Sequence, residues 1–312
     1  MIALLVLLVL VVVSGCLAVV CADRSLHRIS ALADYPGRIG ATAGTNWLLV
    51  GSDGRGDLTA DQQQQLDTGD DDRAGLSDTM MILHIPDGRI PPTLVSIPRD
   101  SYLPIPGHGT DKVNAAFAIG GAPLLVRTVE QATGLHLDHY AELGFGGFTQ
   151  LVDVVGGVNM CLEHPINDAD HGIVLPAGCH DLDGNQALGF VRERYELPGS
   201  DLDRMANQRQ FMTTLMQKAV TAPNMLNPLR LWQLISATTD VIAVDDGDHV
   251  WDIATLGQAL HRTDVVTTTV PVGGFEDTDT SGNVLLWDQS AATHLFDALA
   301  ADTSSVRGAP TP

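Results

Sequence analysis

Four clusters of charge abut apolar runs in this chain, and together they suit a polyphosphate held with a divalent cation. Asp53 and Arg55 follow the run WLLVG. Asp78 stands at the head of SDTMMILHI. Arg99 and Asp100 close the run in VSIPRDSY. The fourth cluster is FVRERYELPGSDLDRMANQRQ, with Arg192, Arg194, Asp201, Asp203, Arg204 and Gln208. Arginine presents a planar fork of donors matched to phosphate oxygens, and aspartate is a hard ligand for a hard cation. If VRERY is extended, its two-residue period sets Arg192 and Arg194 on one face. Arg204 and Gln208, four apart on a helix, also share a face, and Asp201 precedes that helix. Each pair alone reads equally well as a surface salt bridge. The combination, with charges abutting buried runs, points to phosphate.

The elements that must position these charges alternate between strand and helix. WLLVG, TMMILHI and TLVSI read as buried strands, the last two joined through the turn PDGRIPP. LTADQQQQLDTGDDDRAGL between the first two reads as a polar surface insertion. NAAFAIG and APLLVRTVEQATG read as helix, ending at Gly134 as a C-cap. HYAELGF and VNMCL read as strands with the helix FTQLVDVVGG between them. DGNQALGF reads as helical, and DRMANQRQFMTTLMQKAV as a long amphipathic helix broken at Pro223. More helix is expected around Leu229–Thr239 and Val250–His261, then a late strand in DVVTTTVPV. The alternation predicts an α/β fold of three layers, α-β-α, around a central mixed sheet. Ligands in such sheets bind outside strand ends, where the four clusters fall. There is no GxGxxG, Walker loop, GxSxG or clustered set of histidines.

Composition excludes some functions. The 312 residues carry 38 acids against 17 bases, a net charge of −21. That argues against a nucleic-acid partner, which requires a basic face, while leaving room for a local arginine cluster. Only Lys112 and Lys218 are lysines.

Ile2 to Ala22 is an uncharged apolar run long enough for a helix to cross a bilayer. It predicts a single transmembrane helix or signal anchor over 1–22. Arg24 and Arg28 follow it, which taken alone would keep the remainder in the cytoplasm. Cys161 and Cys179 argue for the opposite side. They bracket a Pro/Gly/Asp-rich stretch and read as a disulfide made in an oxidising compartment, two reduced buried thiols being the alternative. VSGC, ending at Cys16, resembles a lipobox; an uncleaved span is preferred because no basic leader precedes it. The expected organisation is a membrane segment (1–22), a tether (23–44), one catalytic domain (45–300) on the extracytoplasmic side of the cell membrane, and a disordered tail (301–312).

NWLLVGSDGR, SDTMMILHI, VSIPRDSY, DKVNAAFAIGG, FTQLVDVVGGV and ALGFVRERYELPGSDLDRMANQRQ, in this order and spacing, resemble the LytR–CpsA–Psr family, and the cysteine pair and long insertion resemble its mycobacterial members. The resemblance covers roughly 46–222. It implies a membrane-anchored phosphotransferase that moves a glycopolymer, such as arabinogalactan, from a polyprenyl-pyrophosphate-linked donor to a peptidoglycan hydroxyl, leaving a phosphodiester link. It implies Mg²⁺ or Mn²⁺ on Asp53 and Asp78. It places Arg55, Arg99, Arg192, Arg194 and Arg204 on the pyrophosphate, with Gln208 beside them and Lys112 and Asn114 in the matched region. Asp201 or Asp203 is the expected base. Two positions depart from the family pattern. Leu76 stands where arginine is common, with Arg73 upstream as a substitute, and Asn207 stands beside the glutamine. A non-catalytic binder of polyprenyl pyrophosphate or wall glycan is the alternative; a transcriptional regulator fits the acidic charge and the apolar segment poorly.

Overall fold

The computed structural model describes residues 17–52, 77–88, 90–162, 165–168, 173–192, 242–262 and 264–303, with Gln210, Phe211, Thr214, Leu215 and Lys218 between them. Its centre is a seven-stranded mixed sheet in the order β1-β12-β7-β2-β3-β4-β13. The strands are β1 (His27–Ile29), β2 (Thr45–Ser52), β3 (Ser77–Ile85), β4 (Thr93–Ile97), β7 (His139–Gly144), β12 (Ile242–Asp245) and β13 (Val266–Thr269). β2 runs parallel to β7 and antiparallel to β3, and β4 runs parallel to β13.

The apolar runs lack polar alternation because both faces of the sheet are covered. Leu48 and Val50 of β2, Met80 and Ile82 of β3, and Val95 and Ile97 of β4 face one core. Helix α1 (Val113–Thr133) and helix α5 (Gln289–Ala300) close that core through Leu125, Val129, Phe296 and Leu299. Trp47, Met81, Leu83 and Leu94, the alternate residues, face Leu256, Ala259 and Leu260 of helix α4 (Val250–His261). The three layers expected from the strand–helix alternation are present. Each large side chain buried in this way contributes roughly 1.5–3 kcal/mol.

α1 is interrupted where the sequence places its Gly-Gly pair. Gly121 takes φ 62°, Pro123 follows, and Gly134 closes the helix in the left-handed conformation. A third cluster packs beside the sheet. Helix α2 (Phe145–Val154) and helix α3 (Gly184–Arg192) enclose Phe148, Leu151, Leu188 and Phe190 together with Phe211. α3 begins at a reciprocal cap: Gln186 N donates to Asp183 Oδ1 at 2.8 Å, and Asp183 N donates to Gln186 Oε1 at 3.2 Å.

Smaller two-stranded units complete the fold: β5 (Tyr102–Ile105) with β6 (Gly109–Lys112), β8 (Val158–Leu162) with β11 (Gly178–Leu182), β9 (Ile166–Asp168) with β10 (Ile173–Leu175), and β14 (Val272–Thr278) with β15 (Gly282–Trp287). Cys161 and Cys179 sit directly opposite each other on β8 and β11 and form a disulfide. The stretch they enclose is not a plain loop; it carries the β9–β10 pairing. A bridge across a separation of 18 residues stabilises by roughly 3 kcal/mol through the unfolded chain.

Residues 23–44 correct the expectation of a tether. β1 pairs in parallel with β12, so the segment supplies an edge of the sheet. Further along, Tyr35 Oη donates to Glu130 Oε2 at 2.8 Å, and Arg38 Nη2 pairs with Glu130 Oε1 at 3.0 Å. His136 Nδ1 lies 2.9 Å from the Ile39 carbonyl oxygen. No local signal marks β1, because a three-residue strand exists only through its partner. The expected membrane segment falls partly on residues 1–16 and the disordered tail largely on 304–312, outside the described residues. Helix occupies 17–25, and among the described residues no helix is long and apolar enough to cross a membrane.

Candidate functional site

The described charges of the first three clusters gather at one end of the central strands. β2 ends there at Ser52, β4 at Ile97, β7 at Gly144, and antiparallel β3 begins there at Ser77. Ser52 and Ser77 are buried partners. The register slips between Gly51, which faces Thr79, and Ser52, which faces Ser77, so Asp78 is the extra residue of a β-bulge. It lies inside the strand rather than before it, and the bulge breaks the alternation that would otherwise assign its face. Asp53, Arg55 and Arg73 lie outside the described residues.

Beyond β4 the chain turns tightly, with Ser101 N donating to the Pro98 carbonyl at 3.0 Å. Asn114 N donates to the Arg99 carbonyl, Val113 N to the Ser101 carbonyl, and Leu285 N to the Asp100 carbonyl. The loop is thus fixed to the start of α1 and to β15. Trp287 Nε1 completes the brace on Ser101 Oγ at 2.8 Å. Asp100 then stands between two cations: Lys112 Nζ lies 2.9 Å from its Oδ1, and Arg99 Nε 3.4 Å from its Oδ2. All three are partly exposed, so the cluster presents two positive charges against one negative at this end of the strands. Asp100 is the residue the sequence reading left without a role. Lys112 and Arg99 meet on Asp100, and Asn114 contributes its backbone amide.

The same end holds a helix N-terminus. α2 starts directly after Gly144, which faces Ser52 across the sheet, and its first turn carries no acidic residue and no side-chain cap. Unpaired amides at such a terminus favour an anion. Sequence reading located this helix but not its aim.

α3 is tied to α2 by the Gly184 amide on Asp153 Oδ1 at 2.8 Å. It carries Arg192 as its last residue, so Arg192 is helical and not on an extended VRERY. The cap at Asp183 and the burial of Phe190 outweigh the β-favouring Val and Tyr nearby. The rings of Phe190 and Phe211 lie 6.2 Å apart, which brings together the two ends of the stretch holding Arg194, Asp201, Asp203, Arg204 and Gln208. Those five residues lie outside the described residues.

A separate group of ligand-type side chains sits at the opposite end of β7. His139, Asp248 and Asp252 offer atoms within 4.8 Å of one another. His139 Nδ1 and Asp248 Oδ1 are 2.5 Å apart, while Asp248 Oδ2 accepts from the Tyr140 and Asp245 amides. Trp47 stacks on the imidazole at 4.4 Å. Burial opposes protonation of His139, but the hydrogen bond and charge of Asp248, with Asp252 and Asp138, outweigh it and raise its pKa above 6.5. A raised histidine contributes stability that is full below 6.5 and fades as pH rises through the folded-state value. Thermal unfolding followed against pH is therefore expected to show wild type well above His139→Gln in mild acid, with the two curves converging above neutrality.

Comparison with known proteins bears on both fold and chemistry. The LytR_cpsA_psr family model matches residues 28–301. A probable cell wall biosynthesis protein LcpB of Corynebacterium glutamicum is 47% identical over 279 residues, covering 89% of this chain and 66% of that protein. The cell wall biosynthesis protein LcpA of the same organism is 32% identical over 287 residues, covering 82% and 55%. A polyisoprenyl-teichoic acid–peptidoglycan teichoic acid transferase TagU of Enterococcus faecalis is 35% identical over 183 residues, covering 58% and 59%. The chain thus spans between about half and two thirds of the length of these relatives. Among solved structures, TagT bound to LI-WTA superposes with a TM-score of 0.63 at 23% identity, covering 86% of this chain and 93% of the other. The LytR-Csp2A-Psr enzyme from Actinomyces oris gives 0.64 at 21%, covering 88% and 96%. At these identities the likeness speaks for the α/β fold.

Proposed function

The chain belongs to the LytR_cpsA_psr family, and we propose that it transfers a phosphoglycosyl polymer from a polyprenyl-pyrophosphate-linked glycan to a peptidoglycan hydroxyl. The observation that carries this reading is the convergence at one end of the central strands of the Asp78 bulge, the Arg99–Asp100–Lys112 cluster and the uncapped N-terminus of α2. The names of the relatives, which concern cell wall biosynthesis and teichoic acid transfer, support it.

In the proposed reaction an acceptor oxygen attacks the phosphorus on the glycan side of the pyrophosphate. The bond from that phosphorus to the bridging oxygen breaks, polyprenyl phosphate leaves, and the glycan remains on the wall through a phosphodiester. The acceptor proton passes to a carboxylate, for which Asp201 or Asp203 is proposed. Phosphoryl transfer requires mainly positioning and charge neutralisation. Arg99 and Lys112, held by Asp100, would meet phosphate oxygens together with Arg55, Arg73, Arg192, Arg194, Arg204 and Gln208. The α2 amides would add fixed donors. The donor set of Asp53 and Asp78, two hard carboxylates, fits Mg²⁺ or Mn²⁺. Such an ion, when bound, draws charge from the pyrophosphate oxygens.

The same reading puts the domain on the extracytoplasmic side of the cell membrane, in keeping with the Cys161–Cys179 disulfide. An arabinogalactan or similar glycopolymer is the proposed cargo. The test is transfer in vitro from a pyrophosphate-linked lipid oligosaccharide to a wall oligomer. Product is expected with Mg²⁺ or Mn²⁺, lost on chelation and recovered when either ion is returned. Donor binding without turnover in every condition would instead establish a non-catalytic glycolipid-binding protein.

A further inference from the structure

The chain leaves its apolar N-terminal run without slack. Residues 17–25 are helical, and Ala22 and Leu26 are buried against the domain. Asp23 Oδ1 accepts from the Val250 amide at 3.0 Å, lies 3.1 Å from His249 Nδ1, and pairs with Arg28 at 3.2 Å. Arg28 Nη1 and Nε donate to the Asp23 and Asp248 carbonyls. Ser30 Oγ then bonds Asp246, and the Leu32 amide donates to Asp245 Oδ1 at 2.7 Å. The first turn of α4 is thereby bolted to the end of the 17–25 helix.

This junction exposes apolar surface that the domain does not use. Leu17, Val19 and Val20 are 62%, 50% and 45% exposed, and Trp251 is 53% exposed. The indole stacks on His249 at 4.2 Å, one residue from the amide that Asp23 caps. Arg24, also exposed, follows these apolar positions in the same helix. Along the chain the order is an apolar stretch, then arginine, with an aromatic ring held beside them. Tryptophan and basic side chains collect in this way at the level of lipid headgroups, where a flat amphipathic ring is half dry and half wet. The carboxylates of the junction all have partners in the domain: Asp23 as above, Asp245 by the Leu32 and Gly247 amides, the exposed Asp246 by Ser30, Asp248 by His139 and two amides, and Asp252 by the His249 amide.

We propose that this rim, made by the 17–25 helix and the first turn of α4, is the seat of the domain on a lipid bilayer, with Trp251 at headgroup level. The proposal rests on reading residues 2–22 as membrane-crossing. The apolar chain outside the described residues on this side, 2–16, makes a bilayer the occupant the sequence favours. The seat fixes the pose of the domain. The candidate site lies at the other end of β7, about 17 Å away at roughly 3.3 Å per residue, on the side turned from the lipid.

The experiment uses the full chain in phosphatidylcholine vesicles whose acyl chains carry bromine at shallow or deep positions. Intrinsic fluorescence of wild type is expected to be quenched most by shallow bromine. Trp251→Phe should lose that quenched component, and Trp251→Phe/Phe275→Trp, with its new indole on the exposed β14–β15 hairpin, should not regain it. A wash in alkaline carbonate, run in parallel, reports on the span. Retention with equal quenching of wild type and Trp251→Phe overturns the seat while leaving the span standing. Release by the wash overturns the span, and the seat with it.

Discussion

Asp78→Ala is expected to lose transfer by about 10²–10³-fold, the usual consequence of removing one preorganised charge contact from a transition state. Arg194→Ala is expected to lose as much. Asp78 is the bulge residue next to the buried Ser52–Ser77 pair, and a bulge at the end of a strand leaves the ladder beyond it undisturbed. The hydrophobic partners of β3, Met80 to Leu83, lie further along the strand and are untouched. Thermal unfolding of Asp78→Ala should therefore stay near wild type while turnover falls. The split between kcat and KM carries the mechanism. A residue that acts on charge developing during transfer lowers kcat with little change in KM, whereas one that only holds the donor raises KM. If Asp78→Ala turns over at wild-type rate, its place in metal binding is lost. If Arg194→Ala alters KM alone, it is a binding residue. The double variant should lose little more than either single one, because groups acting on one phosphate behave as a unit.

Arg38→Ala is expected to cost about 3–5 kcal/mol of folding stability, the range for removing one partner of a buried ion pair. Glu130 is fully buried in α1, and its carboxylate collects Arg38, the Tyr35 hydroxyl and the Leu137 amide at 2.9 Å. Without the guanidinium a carboxylate charge is stranded in the interior. For a domain this large, each kcal/mol moves the melting midpoint by about 2–4 °C. Adding Glu130→Gln to Arg38→Ala should recover part of the loss, because the stranded charge is gone; a double variant worse than Arg38→Ala would show that the cost lies in packing. Tyr35 shares this network. Burial first, then its hydrogen bond to Glu130, push its pKa up to about 12 from 10.0. The stability it contributes is full below 10 and fades as pH climbs toward 12. Tyr35→Phe should flatten that alkaline limb.

Much of the architecture could be read before any coordinate. Leu48 and Val50 face one core and Trp47 the other, as a strand buried on both sides requires, and Gly120–Gly121 interrupts α1 where the apolar pattern breaks. Signals of this kind are local. What escaped was set by distant partners. β1 has no pattern of its own and is defined by β12; the β14–β15 hairpin and α5 carry mixed polar and apolar residues whose burial depends on α1 and Ser101. At the site, the placing of charge beside apolar runs was legible, because those runs end where the charges begin. The face of Asp78 was not, since a bulge erases period two. Arg192 is helical rather than extended because a cap nine residues upstream, Asp183 with Gln186, commits the segment to helix. The junction of His139 with Asp248 spans 109 residues and leaves no trace in spacing.

The pairing of β1 with β12 also sets an order of assembly. Ser30 and Asp246 meet across 216 residues, so closing that contact early would cost far more chain entropy than any hairpin in the domain. The central strands β2, β3 and β4, neighbours in sequence and in the sheet, can form while β12 is still missing. β12 must join β7 before β1 has an edge to meet. The first strand of the chain is thus among the last to be placed, and a chain halted before Ile242 would keep a formed centre with its N-terminal segment undocked.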